Sequence, residues 1–261
     1  MSHFTITTVE DGSANGTAHL IHSEHVNWVL LRDDSGITLI DGGYPKQVDD
    51  VIASVREIGA QPGDIRAALI THAHVDHIGG LARLANRYAF PVHLDPVEVS
   101  HARREHLQQA TPRSLAKLAY RPRVLRWMAE IVALGGLDTA GIPNAEAFPA
   151  RDSDGALDLP GRPVPVSAHG HTDGHSAYLV AGGRVLVSGD ALVTGHGITG
   201  RVGPQCIHPV FHHDEAANRE ALRALAEREQ RSGSAVEFIF PGHGEVHRGS
   251  VSDAVAEALR G

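Results

Sequence analysis

A single cysteine, Cys206, stands in 261 residues, which excludes an internal disulfide framework and fits a reducing compartment. It follows no motif and reads as a packing residue. No apolar run reaches the length of a membrane span. The opening Met1-Ser2-His3-Phe4-Thr5 lacks the charged and apolar stretches of a secretion signal, so a cytoplasmic protein is expected. There is no excess of positive charge either. The formal charge of −8 argues against nucleic acid as a general partner. No Gly-x-Ser-x-Gly elbow offers a serine nucleophile. Repeats of solenoid period and low-complexity segments are also missing.

What is present suits an α/β enzyme. The length fits one large α/β domain or two small ones, and a single domain over 1–261 is the reading adopted. A hydrophobic content of 42% supports a substantial core, while 28 Gly and 14 Pro imply many turns. Phe4 to Val9 reads as an edge strand. Val26 to Leu31 and Ile37 to Ile40, parted by Asp33-Asp34-Ser35-Gly36, read as a hairpin ending at Asp41-Gly42-Gly43. Gln47 to Ile58 is an amphipathic helix closed by Gly59. From Pro96 to about Leu137 the pattern turns helical, and Ala140 to Pro160 is loop-like. Strands resume at Val164 to Ala168, Ala177 to Ala181 and Val185 to Ser188. A helix over Asp214 to Arg231, a strand over Val236 to Phe240 and a helix over Val251 to Leu259 close the chain. The order suggests two similar halves, stacked sheet on sheet with helices outside.

The helical stretch carries Arg103, Arg104, Arg113, Lys117, Arg121, Arg123 and Arg126 against Glu98, Glu105 and Glu130. It reads either as a solvated helical face or as a lid that greets an anionic or acyl-bearing substrate. Under the second reading Tyr120 and Trp127 are candidate contacts.

The chemistry gathers at strand ends. The apolar run Ala67-Ala68-Leu69-Ile70 leads into Thr71-His72-Ala73-His74-Val75-Asp76-His77-Ile78-Gly79-Gly80, three imidazoles and a carboxylate within six residues. A turn there could aim His72 and His74 at one point, with Asp76 and His77 at a neighbouring one. Nitrogen and oxygen ligands without thiolate suit a borderline divalent ion, zinc first and iron or manganese as alternatives. The same strand-then-polar-turn pattern recurs at His169-Gly170-His171-Thr172-Asp173-Gly174-His175, at Ser188-Gly189-Asp190 and at Pro241-Gly242-His243-Gly244. Glycine beside each candidate ligand is expected to leave room for an ion and its water.

These four stretches together resemble the metallo-β-lactamase superfamily, with the glyoxalase-like and lactonase-like hydrolases nearest. The resemblance spans Asp41 to His243. It implies an αββα four-layer sandwich, interrupted by the helical insertion, with a two-metal site at one sheet edge. His72, His74 and His171 are implied to hold the first metal. Asp76, His77 and His243 are implied to hold the second, with Asp190 bridging. Asp41 and His175 would orient the ligands through hydrogen bonds. His171, not His169, takes the ligand role because it precedes Thr172 in the Gly-His-Thr pattern. His169 replaces a common proline and is kept as a candidate contact to metal or substrate.

The implied function is a dinuclear metal-dependent hydrolase. A hydroxide bridging the two ions would attack an ester, lactone or thioester carbonyl. Asp76 or Asp190 would pass a proton to the leaving group. The departures from the family narrow this reading. Ala191-Leu192-Val193 lacks the tyrosine of some lactonases, and the cysteine ligand of one lactamase branch is missing. Asp190 argues against the branch with three-His ligation and no such carboxylate. No glutathione-binding signature is legible, so substrate contacts fall to loops such as Val193 to Gly203 and Gln205 to Asp214. These hold His196, His208, His212 and His213, each read as a surface or supporting residue. The expected partner is a small-molecule substrate, and a homodimer is considered. Three alternatives are weighed: a phosphodiesterase on the same site, a mononuclear iron dioxygenase of sulfur substrates using His72, His171 and Asp190, and a non-enzymatic metal-binding or regulatory module that kept the fold, which intact ligands at every position argue against.

Overall fold

Runs of β-branched and aliphatic residues, cut by Gly- and Asp-rich turns, produce fourteen strands in the computed structural model, which describes residues 4–12, 16–233 and 236–261. Met1-Ser2-His3 lie outside the described residues. Strands β1 (Phe4–Glu10), β2 (Thr17–Ser23), β3 (Asn27–Asp33), β4 (Gly36–Ile40), β5 (Ile65–Leu69), β6 (Val92–Leu94) and β7 (Ala145–Ala147) form one sheet in that order. It is antiparallel as far as β4 and parallel from there to β7. Then come β8 (Val164–Ser167), β9 (Ser176–Val180), β10 (Val185–Gly189), the pair β11 (Val193–Gly195) and β12 (Val202–Gln205), β13 (Phe238–Pro241) and β14 (His247–Arg248). The second sheet runs β14-β13-β10-β9-β8, with β10 and β13 parallel. The helices are α1 (Val48–Glu57), α2 (Val75–Ile78), α3 (Leu81–Tyr88), α4 (Val99–Ala102), α5 (Pro112–Ala116), α6 (Pro122–Ala133), α7 (Glu215–Ser232) and α8 (Val251–Arg260). Asp214 caps α7 by accepting the Ala217 N–H, and Ser250 caps α8 by accepting that of Asp253.

The layers follow from the two-residue period of a strand. Along β3, Trp28 and Leu30 face out to Val51 and Val55 of α1 and Leu81 and Leu84 of α3. Val29 and Leu31 face in, meeting Tyr178, Val180, Val187 and Phe240 of the second sheet. The far face of that sheet, with Leu186 and Ile239, packs on Leu222 and Leu225 of α7 and Val255 of α8. The result is the αββα sandwich that the motif resemblance implies. Each of these side chains, buried from water, contributes about 1.5–3 kcal/mol. Leu30→Ala, which leaves a cavity between sheet and helix, would cost about 2–5 kcal/mol.

Several strands depart from the reading of the sequence. β2 escapes it because His19 and His22 interrupt the apolar pattern, yet its backbone pairs fully with β1 and β3. β7 extends the parallel edge inside the stretch expected to be loop, and β11–β12 form a hairpin in another. The stretch from Pro96 to Leu137 is helical as read, through α4 to α6. It has a small core of its own, where Leu115, Val124 and Trp127 close over Ile198. Among the described residues no helix is long and apolar enough to cross a membrane.

Candidate metal centre

β5 lies in the middle of the first sheet with its last residues buried, so its C-terminal end delivers Thr71 to His77 to a rigid place. The turn into the four-residue α2 separates His72 and His74 from Asp76 and His77. His171, Asp190 and His243 arrive from the C-terminal ends of β8, β10 and β13. All seven residues of the motif reading come together, in two groups. His72, His74, His171 and Asp190 form one, and Asp76, His77 and His243 the other. Within each group, one ligand-capable atom per residue lies within 4.8 Å of the rest.

Asp190 stands between the groups. Its Oδ1 is 3.4 Å from His77 Nε2, while its Oδ2 is 3.1 Å from His243 Nε2, 3.6 Å from His171 Nε2 and 3.9 Å from His72 Nε2. Asp76 Oδ2 is 3.4 Å from His243 Nε2 and 3.8 Å from His77 Nε2. His74 Nδ1 and His171 Nε2 are 3.0 Å apart.

Hydrogen bonds on the outer side of each ring decide which nitrogen faces inward. His77 donates Nδ1–H to Asp41 Oδ2 at 2.8 Å, His74 donates Nε2–H to Gln108 O at 2.6 Å, and His243 donates Nδ1–H to His25 O at 2.5 Å. Asp41 also accepts the Thr71 N–H at 2.8 Å and the Thr71 hydroxyl at 2.7 Å. It occupies a positive-φ conformation, at 62°. His175 Nε2 accepts the Asp190 N–H at 3.1 Å, which holds the head of that loop. Both residues therefore act on the cluster through hydrogen bonds, the role the motif resemblance implies.

His72 Nε2, His77 Nε2 and Asp190 Oδ1 are buried and have no hydrogen-bond partner. Three such atoms aimed at one place carry a desolvation cost that a cation would relieve. The donor set is nitrogen and oxygen without thiolate, so the residues fit divalent ions of the zinc, iron and manganese kind. Cys206 is half-buried, 3.9 Å from Ala258 O, and belongs to the core under α8.

Burial pushes the His72 and His171 imidazoles well below their ordinary pKa, and His74 down to about 4, so these rings are neutral with a lone pair free. For His77 burial acts the same way, but Asp190, Asp41 and Asp76 outweigh it and raise the ring well above its usual value. His243 is raised likewise, with Asp190 and Asp76 overcoming burial. Burial would raise Asp190, but His243 and His77 hold its carboxyl well below the carboxylate range. The carboxylates thus hold positive charge here, as imidazolium or as a bound cation.

The glycines beside the ligands have a different use from the one expected. A Cβ on Gly242 would sit 2.1 Å from Asp190 Oδ1, and one on Gly189 would meet His175 Nε2 at 2.6 Å. At these two positions the space a side chain would take is filled by the ligands and their supports.

A cavity opens above the cluster, with Asp76, Asp190, His196 and His243 at its base. Its walls come from the helical insertion and the β12–α7 loop, including Leu115, Trp127, Met128, Ile131 and Phe211. No Lys or Arg side chain lines it among the described residues. Trp127 is therefore a wall residue, whereas Tyr120 is 73% exposed, lies against Arg121, and does not line the cavity. His196 does line it, its ring 4.9 Å from that of His243. His169 lies 3.5 Å from Asp95 and outside both groups, while His212 and His213 line a neighbouring depression. His208 accepts the Val210 N–H. Two supporting residues went unread in the sequence. Tyr44 reaches the cavity from the turn after β4, and Glu98 reaches the loops from the start of the insertion. Neither belongs to a motif.

The chain is similar to known proteins over most of its length. It is 24% identical over 199 residues to the probable metallo-hydrolase YflN of Bacillus subtilis (strain 168), covering 74% of this chain and 71% of that one. With the uncharacterized protein YobT of the same organism the identity is 25% over 245 residues, covering 90% and 89%. Its fold matches a metallo-β-lactamase of Cronobacter sakazakii (Enterobacter sakazakii) with a HARLDQ motif at a TM-score of 0.61 and 16% identity, covering 93% and 88%. The model of the metallo-β-lactamase superfamily matches residues 24–243, so the chain belongs to that superfamily and is a metal-dependent hydrolase.

Proposed function

We propose that the protein is a dinuclear hydrolase of neutral esters, lactones or thioesters with an apolar acyl portion, acting as one domain. The observation that carries this reading is the cavity, whose carboxylate and imidazole base is walled by Leu115, Trp127, Ile131 and Phe211 and lined by no cation. An anionic phosphodiester is expected to meet arginine or lysine beside the ions. Arg113, Lys117, Arg121 and Arg123 of the insertion are exposed and lie off the cavity lining. That favours the acyl-bearing half of the lid expectation over the anionic half.

In this reading His72, His74 and His171 would hold one divalent ion and Asp76, His77 and His243 a second, with Asp190 within reach of both groups and zinc the first choice. Such ions polarise a carbonyl and make an attacking water acidic near neutral pH. The chain supplies the rest. Trp127, Leu115 and Ile131 orient the acyl arm and exclude water around it. Asp76 is less buried than Asp190 and faces the cavity. Its carboxylate is placed to take the proton of the attacking water and deliver it to the leaving group.

The test is metal analysis followed by a panel of chromogenic ester, lactone, thioester, β-lactam and phosphodiester substrates. Two ions per chain with turnover of apolar acyl substrates is the expected result. Two ions with phosphodiester turnover alone overturns the acyl reading. One iron per chain with oxygen consumption overturns hydrolysis itself.

A further inference from the structure

Glu98 opens the helical insertion, yet its carboxylate is 1% exposed and lies among the loops of the metal centre. Its Oε1 accepts the Ala73 N–H at 2.8 Å and the His101 Nδ1–H at 2.7 Å. Its Oε2 accepts the Thr172 hydroxyl at 2.9 Å and the Gly174 N–H at 2.9 Å. Ala73 stands between His72 and His74, and Thr172 follows His171. One carboxylate therefore ties together the two loops that carry all three histidines of the first group. Gly174 makes the approach feasible, since a Cβ there would lie 2.5 Å from the Glu98 backbone nitrogen.

A second line runs from the same carboxylate to His74. His101 Nε2 accepts the Gln108 N–H at 3.3 Å, so the ring bridges Glu98 and Gln108. Gln108 O in turn accepts His74 Nε2–H. The Gln108 side chain also bonds the other loop, accepting the Asp173 N–H at 3.0 Å. Glu98 thus reaches His74 through the Ala73 backbone and again through His101 and Gln108.

We propose that Glu98 is a positioning residue that sets the spacing of His72, His74 and His171, and so the affinity of the first ion group alone. The role requires the ionised form. All four contacts are donors, and an amide in its place would set an N–H against at least one of them. Its carboxylate hydrogen-bonds none of the seven candidate ligands. This inference rests on the ion-holding role proposed for the three histidines.

The experiment compares zinc dissociation constants, by chelator competition, in two backgrounds. His77→Ala/His243→Ala keeps the first group, and His72→Ala/His171→Ala keeps the second. Glu98→Gln should weaken zinc roughly 10–100-fold in the first background and leave it unchanged in the second. Thr172→Val, nearly isosteric and removing one donor, should produce a smaller loss with the same selectivity, and it carries the comparison if the glutamine variant misfolds. Equal losses in both backgrounds, or none in either, overturn the inference. Zinc bound by the unsubstituted protein but unaffected by Glu98→Gln sinks the role of Glu98 and spares the ion reading. No zinc bound by the unsubstituted protein sinks both.

Discussion

Asp41 Oδ2 accepts His77 Nδ1–H at 2.8 Å, and the same carboxylate takes two bonds from Thr71. One buried residue at the end of β4 thereby fixes the tautomer of a ring on α2 and the start of the loop carrying His72 and His74. Asp41→Ala should lower zinc affinity at the His77 group roughly 10–100-fold, the range for removal of a ligand's hydrogen-bond partner. Retained stoichiometry and affinity, measured by chelator competition, would show that His77 keeps its orientation without it.

Gly242→Ala tests how tightly the ligands are packed. The new Cβ would lie 2.1 Å from Asp190 Oδ1 and 3.0 Å from His77 Cε1, so the carboxylate must move away from its place between the groups. We expect metal content to fall and kcat to drop by at least ~100-fold, since displacing a reacting group by about an ångström costs that much. Full activity would mean that Asp190 tolerates displacement.

The stability of the first sheet should depend on pH through His19. Burial, reinforced by Arg32, lowers this imidazole to about 4 in the folded chain, against 6.5 when it is unperturbed. Above pH 6.5 it is neutral in both states and imposes no penalty. Between pH 6.5 and 4 the unfolded chain takes up the proton and the folded chain does not, so stability falls with pH through that window. His19→Gln should therefore lose less stability than the parent protein between pH 7 and pH 4, as read from urea midpoints. Parallel curves would contradict the shift.

The cavity wall should determine chain-length preference. Trp127, 6% exposed, packs edge-on to Phe211 with ring centroids 5.8 Å apart. Trp127→Ala should reduce kcat/KM for a long-chain acyl ester by roughly tenfold or more while affecting the acetyl ester much less. An equal loss on both would place the acyl arm elsewhere.

The fold was legible where one residue type dominated a local pattern. The nearly unbroken apolar runs of β3 and β4 mark strands with two buried faces, and the spacing of Val48, Val51, Ile52 and Val55 marks α1. The candidate centre was legible for the same reason, because each of its loops keeps its ligands close together in sequence. What failed to show depends on contacts between distant segments. Glu98 bonds Ala73, Thr172 and Gly174 across gaps of 25, 74 and 76 residues, and nothing local marks it apart from other glutamates. Tyr120 looked like a lid contact by composition, but only the direction in which α5 and α6 pack decides which aromatic faces the cavity. β2 hides behind two histidines that bond across to neighbouring strands, His19 to Thr8 of β1 and His22 to Asn27 of β3.

Crystals grown with ample zinc and measured by anomalous diffraction at the zinc edge put the central claim to its most direct test. Two peaks are predicted, one within ligand distance of His72, His74, His171 and Asp190, the other of Asp76, His77, His243 and Asp190. No peak at either position, or zinc bound only elsewhere on the chain, would contradict it.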